Sequence, residues 1–200
     1  MRLDQSPRKK LETFEKYLAF LEQEDIFSPC ANASTLEIGP LTGKISKLIQ
    51  KKRPSKHVTV EPDPAFRKNL QSFTTNHSCT YQRYINAYQN EFDVVVCMGV
   101  LYHMHSPWDM IEKIITINKP KTFILETIDV GDAPRIHPEE INTTGMAWDT
   151  IVPYIVNMPI KCYREFLEGQ GYEQSKCYVM REHGIRNSAK QRQVLMVFNR

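Results

Sequence analysis

The chain has 200 residues, 41% of them hydrophobic and 24% charged, which suits one domain with a substantial core and excludes a disordered chain. A formal net charge of +3 does not demand a nucleic-acid partner, and the basic clusters Arg8-Lys9-Lys10 and Lys51-Lys52-Arg53 read as solvated helix ends. Five cysteines without a CxxC pair argue against a disulfide framework, and a polar start with no apolar run near the ~20 residues of a membrane span points to a cytoplasmic protein.

Leu11, Phe14, Leu18 and Leu21 recur at helical spacing, so residues 7–24 are expected to form an amphipathic helix with Pro7 in its first turn. After a linker over 28–34, residues 35–38 read as a strand and 39–43 as a turn bracketed by glycines. Ile45, Leu48 and Ile49 then mark a helix that ends before Pro54. The apolar run His57-Val58-Thr59-Val60 is a second strand closed by Glu61, and Asp63 is placed to cap a helix opening at Pro64. Residues 79–85 read as the third strand, with Asn86-Ala87 following it. The continuous β-branched run in 92–98 is a strand covered on both faces. A helix over 108–117, a fifth strand over 121–128 and a long irregular stretch over 129–157 come next. The last helix, 159–168, is stopped by Gly169 and Gly171, and 172–181 with 191–198 form a closing strand pair. Strands alternating with helices, then this pair, imply an α/β doubly wound sheet, mostly parallel with an antiparallel edge and helices on both faces. The whole of 1–200 is read as a single domain, with 1–33 its leading helix and linker.

The turn Glu37-Ile38-Gly39-Pro40-Leu41-Thr42-Gly43 carries the first chemical signal. Its glycines let a ligand approach the backbone, and the helix that follows offers free N–H groups to a carboxylate or phosphate. Glu61, at the end of the second strand, can accept hydrogen bonds from both hydroxyls of an adenosine ribose. Nicotinamide dinucleotides and S-adenosylmethionine both fit such a site. Pro40 and Leu41 stand where a dinucleotide fingerprint needs its second glycine, and Glu37 would repel a pyrophosphate but suits an ammonium and a sulfonium. The stretch resembles motif I of the class I S-adenosylmethionine-dependent methyltransferases, acid-x-Gly-x-x-x-Gly. That resemblance implies a Rossmann-like sheet of seven strands in the order 3-2-1-4-5-7-6. It assigns Glu37, Gly39, Pro40 and Gly43 to the methionine part of the donor, Glu61 to the ribose, and Asn86 with Met98 to the adenine region.

Met98-Gly99-Val100-Leu101-Tyr102-His103 with Ser106-Pro107, then Leu125-Glu126-Thr127, Gly131-Asp132, the helix ending at Gly171 and Arg192-Gln193-Val194-Leu195 sharpen the likeness. Over its second half the chain resembles the methyltransferases that carboxymethylate the wobble uridine of bacterial tRNA. In that family the residues matching Tyr102 and Arg192 hold the extra carboxylate of a carboxylated S-adenosylmethionine, a task that suits a phenol and a guanidinium fork. The family's basic, tryptophan-containing amino-terminal segment has no counterpart here, and Glu37 and Pro40-Leu41 replace its Asp and Cys-Gly.

Tyr102, His103 and His105 would stand outside the carboxyl end of the fourth strand, where open α/β sheets bind ligands. Tyr102, His103 and Arg192 are the catalytic candidates, with His103 the candidate base. His103 and His105 form an H-x-H pair without a third ligand at recognisable spacing, so no metal is expected. The stretch 129–157 is expected to form a lid, with Trp148 and Tyr154, beside His105, giving flat contact to a substrate. The expected activity is methyl transfer from S-adenosylmethionine, or its carboxylated analogue, to an oxygen or nitrogen of a small molecule. Its rivals are an RNA or tRNA (carboxy)methyltransferase and a silent scaffold of the same fold, while the oligomeric state is not legible. A nicotinamide dehydrogenase is a distant fourth.

Overall fold

The computed structural model describes residues 14–66, 70, 74–104, 106–131, 135–138, 154–186 and 189–200, with 135–138, 154–156, 181–186 and 189–191 described by backbone alone. Strands β1 (Ser34–Ile38), β2 (Lys56–Val60) and β4 (Val94–Met98) are buried over nearly every residue, because a parallel sheet is covered on both faces. β1 lies between β2 and β4, with Leu36 opposite both Val58 and Val95. β3 (Thr75–His77) adds a parallel edge beyond β2, and β5 (Thr122–Asp129) pairs parallel with β4.

The chain then reverses. β8 (Glu173–Arg186) and β9 (Ala189–Asn199) form a hairpin, and β9 lies antiparallel beside β5 with Glu126 opposite Leu195 and Asp129 opposite Arg192. The sheet order is therefore β3-β2-β1-β4-β5-β9-β8, the seven-stranded doubly wound arrangement expected from the sequence. β6 (Arg135–Pro138) and β7 (Tyr154–Asn157) form a separate antiparallel pair, so the ends of the 129–157 stretch are clasped together.

Alternation along β4 divides the core. Val95 and Cys97 face α3 (Tyr81–Ala87), α4 (Pro107–Lys113) and α5 (Ile160–Gly169). Val94, Val96 and Met98 face α1 (Phe14–Gln23) and α2 (Lys44–Lys51). Each helix buries residues at its own period, as with Tyr17, Phe20 and Leu21 on α1 and Ile160, Tyr163 and Leu167 on α5. α4 starts with proline at its first turn and continues as a π turn, Ile114–Asn118.

One element differs from the sequence reading. Residues 79–85 are not the third strand, which is β3; Tyr81–Ala87 is α3. The Thr80 side chain accepts the Arg83 N–H at 3.3 Å, and Tyr81, Tyr84 and Ile85 bury one helical face. Asn86 is thereby carried onto an exposed helix instead of a strand end. The leading helix is described from Phe14, so Pro7 lies outside the described residues, as do His105 and Trp148. Asp63 does cap locally, its Oδ1 accepting the Ala65 N–H at 2.8 Å over the short turn Pro64–Phe66. Among the described residues no helix is long and apolar enough to cross a membrane.

Candidate active site

The glycine turn sits between β1 and α2, next to the start of the turn that follows β4. Gly39 takes φ +69°, and a Cβ there would lie 2.5 Å from Cγ2 of Val100. Only glycine lets the loop and the β4 turn pack this closely. The Gly39 N–H donates to the Val60 carbonyl at 2.9 Å, tying the loop to β2, and the Gly43 N–H donates to the Pro40 carbonyl at 2.9 Å. Leu41 is exposed and takes φ +50°, which aims its N–H at Glu61.

Glu61 is buried and both its oxygens are engaged. Oε2 accepts the Leu41 N–H and Oε1 the Asp63 N–H, each at 2.9 Å. Burial raises its pKa, the two N–H groups oppose that rise, and the charges of Asp63 and Glu37 add to it. A carboxylate oxygen can accept more than one hydrogen bond, so each retains capacity for a hydroxyl. The Glu61 N–H donates to the His77 carbonyl at 3.0 Å, which places the end of β3 beside the same crevice. Residues 77–79 therefore occupy the strand-end position that the sequence reading gave to Asn86.

Glu37 lies under α2 instead of opening into the crevice. Its Oε2 accepts from Ser46 Oγ at 2.6 Å and meets His57 Nε2 at 3.1 Å, while His57 Nδ1 meets Gln50 Nε2 at 2.8 Å. One histidine tautomer, Nε2–H, satisfies both ring contacts. The network joins β1, β2 and α2 beneath the glycine turn.

Met98 ends β4, buried on the α1 side. Gly99 follows with φ +75°, and Tyr102 and His103 lie in the 3₁₀ turn Leu101–His103. Tyr102 is half-buried, its ring centroid 4.4 Å from that of the exposed His103. Burial, then the charge of Glu126, raises the Tyr102 pKa. Arg192 stands on β9, where its Nη2 donates to Asp129 Oδ2 at 2.9 Å. Asp129 Oδ1 also accepts from the N–H groups of Gly131 and Ile160, at 3.3 and 3.4 Å. Tyr102 and Arg192 thus flank the carboxyl end of β5, with the guanidinium already paired. β7, which carries the backbone of Tyr154, packs against the turn that holds Tyr102.

Glu126 is a candidate site residue to which the sequence motifs give no role. It is buried in β5, opposite Met98 in the parallel ladder, and its Oε1 has no hydrogen-bond partner among the described residues. Burial raises its pKa to about 7, against the Gln193 side chain and the Gly99 N–H, whose hydrogen bonds favour the charged form. Tyr17 of α1 also has a buried hydroxyl without a partner among the described residues and feels the charges of Glu126 and Tyr102. The signal in the sequence was an acid inside the apolar run Phe123-Ile124-Leu125, on a strand whose neighbours are buried.

A family model described as a methyltransferase domain matches residues 8–174. The chain belongs to this methyltransferase family. No curated protein matches it significantly. Among solved structures, the methyltransferase is similar to the N-terminal domain of EvdMO1 with SAH bound, at 16% identity and TM-score 0.65, over 94% of this chain and 85% of that one. It is similar to 1,6-didemethyltoxoflavin-N1-methyltransferase of Burkholderia thailandensis, at 13% identity and TM-score 0.61, over 98% and 93%. It is also similar to a protein of Pyrococcus horikoshii proposed to be an RNA methyltransferase, at 11% identity and TM-score 0.58, over 99% and 94%. At such identities the likeness establishes the fold, and the methyltransferase's site rests on its own geometry.

Proposed function

We propose that the protein transfers a methyl group from S-adenosylmethionine to an oxygen or nitrogen of a small molecule. The observation that carries this is the buried Glu61 carboxylate at the end of β2, held by the Leu41 N–H of a glycine turn that lacks the second glycine a pyrophosphate needs. When bound, S-adenosylmethionine supplies a methyl carbon activated by its sulfonium. Glu61 takes the ribose hydroxyls and Gly39 keeps the backbone open to the donor. Gly43 and the first turn of α2 present N–H groups to the methionine carboxylate. Glu37 supports that loop from below, through Ser46 and His57. Residues 77–79 and Met98 border the adenine, a role that passes from Asn86 with the reassignment of α3.

The chain's remaining work is alignment of nucleophile, carbon and sulfur, with water excluded. Tyr102 and His103 face the acceptor from the β4 turn. The stretch 129–157, whose described ends β6 and β7 pair with each other and of which β7 packs on that turn, is read as the lid of a one-domain enzyme. Carboxymethyl transfer to tRNA is the second reading, favoured by Tyr102 standing at the end of β4. It would need Arg192 to leave Asp129 for the donor's carboxylate, which weighs against it. A silent scaffold would have no use for the Glu61–Leu41 contact.

Calorimetric titration with S-adenosylmethionine, S-adenosylhomocysteine and the carboxylated donor decides among these. Preference for the ordinary donor is expected. Tight binding of the carboxylated donor, lost in Arg192→Ala, would move the assignment to wobble uridine, and no binding of any of the three would leave the scaffold.

A further inference from the structure

We propose that Glu126 accepts the proton of the methyl acceptor, which therefore enters as a protic nucleophile, a hydroxyl or an N–H, and need not arrive as an anion. The assignment rests on the methyltransferase reading and deepens it.

Placement comes first. Glu126 lies opposite Met98, the last residue of β4, and β4 neighbours β1 at the point where strand order reverses. Ligands of open α/β sheets bind outside the strand ends at that point. The carboxylate is thus on the α1 side of the sheet, beside Tyr102 and close enough for its charge to act on Tyr17 of α1.

Missing partners come second. A carboxylate 3% exposed whose Oε1 meets no donor among the described residues is costly, whereas the other buried acids of the sheet, Glu37 and Asp129, have hydrogen-bond partners. The Tyr17 hydroxyl, from a different element, is buried and unpartnered as well. The charge of Glu126 adds to the burial that raises the pKa of both Tyr17 and Tyr102, and a Cβ at Gly99 would lie within 4 Å of both Tyr102 and Glu126, so the three groups are near neighbours. A polar group of a ligand, able to donate to the acid and accept from a phenol, would satisfy both.

Access comes third. Gly99 has no side chain, and a Cβ there would lie 3.3 Å from the Tyr102 hydroxyl and 3.7 Å from Glu126 Oε2. The glycine keeps open the space between phenol and carboxylate. A proton acceptor whose pKa lies near 7 is also suited to the task.

In the step itself, the lone pair of the nucleophile forms the new bond to the methyl carbon as the carbon–sulfur bond breaks. That bond's electron pair goes to sulfur, which becomes a neutral thioether. The nucleophile's proton passes to Glu126 Oε1 and is released to water after the product leaves.

Sinefungin tests this, because an amine-bearing carbon replaces the sulfonium and its methyl. Its affinity relative to S-adenosylhomocysteine reads what faces the transferred methyl. In Glu126→Gln, sinefungin binding should weaken at least about tenfold, as for loss of a charge-assisted hydrogen bond, while S-adenosylhomocysteine stays within about twofold. In the wild-type chain the preference for sinefungin should grow as pH rises through about 7, as Glu126 ionises. The titratable and polar groups that face it are Tyr17 from α1, Tyr102 from the β4 turn and Gln193 from β9, and Cys97 of β4, on the opposite face of the sheet, feels its charge. Equal losses for both ligands would place Glu126 at the methionine ammonium or in the fold alone and overturn the proposal, as would no loss for either. Failure of the wild-type chain to bind S-adenosylhomocysteine would instead sink the methyltransferase reading, and this assignment with it.

Discussion

Glu61 is positioned before any ligand arrives, because the N–H groups of Leu41 and Asp63 fix both carboxylate oxygens. A ribose therefore meets an acid that has already lost its rotational freedom. Each charge-assisted hydrogen bond to it is worth roughly 1.5 to 3 kcal/mol. Glu61→Ala should weaken S-adenosylmethionine binding by about tenfold or more in a calorimetric titration, and unchanged affinity would remove the ribose assignment. Glu126 makes a different prediction, about pH. Burial lifts its pKa from 4.5 to about 7, so across that window the unfolded chain has released a proton that the folded chain keeps. Stability contributed at this residue is thus greatest below about pH 4.5 and declines as pH rises towards 7, by about 3 kcal/mol in all. Glu126→Gln removes the titration. Relative to the wild-type chain it should gain about 3 kcal/mol between pH 4.5 and pH 8 in urea unfolding. A difference between the two proteins that is the same at both pH values would mean that the carboxyl does not titrate in that window.

At the scale of elements, the strand–turn–helix unit was legible because each of its parts leaves a local mark: β-prone apolar residues, two glycines, then helical spacing. The β2 acid was legible for the same reason. The third strand was not, because Tyr81, Tyr84 and Ile85 are β-prone residue types. Only their i, i+3, i+4 burial and the Thr80 cap turn them into a helix, and the true β3 is just three residues long. The misplaced strand displaced the adenine side of the site with it. The Gly39 contact tests how tightly the elements are joined. Gly39→Ala would push a Cβ to 2.5 Å from Val100 Cγ2 at a φ that alanine resists. A loss of about 1 to 3 kcal/mol is expected. With Val100→Ala the nearest Val100 atom lies 3.9 Å away, so the two substitutions should cost less together than the sum of their separate costs. Strict additivity in urea unfolding would show that the loop and the β4 turn are not packed on one another.

At the scale of the molecule, a mostly parallel sheet with an antiparallel edge could be read from alternation and its strand order from the family resemblance, whereas the meeting of α1, β5 and the β4 turn could not. Tyr17, Tyr102 and Glu126 are brought together by strand order and register, which no local pattern contains. The same register sets Arg192 against Asp129, so the residue that family likeness gives to a carboxylated donor is engaged by the fold itself. Arg192→Ala would leave a buried carboxylate with two backbone N–H donors and no counter-charge, at a cost of about 3 kcal/mol. Donor binding in that variant must therefore be measured below its own unfolding temperature. The whole site is tested most directly through linkage, since a ligand that binds only the folded chain stabilises it in proportion to its saturation. At about 100 times its dissociation constant, S-adenosylmethionine should add about 2.7 kcal/mol. For a chain of this size that corresponds to a rise in Tm of roughly 5–10 °C in a thermal melt. Glu61→Ala should lose about half of that rise or more at the same ligand concentration, because an affinity about tenfold lower cuts the linkage to about 1.4 kcal/mol. NADH at equal concentration should leave Tm unchanged, since the turn lacks the second glycine of the dinucleotide fingerprint. A rise with NADH and none with S-adenosylmethionine would return the glycine turn to the dinucleotide class, in spite of its missing middle glycine.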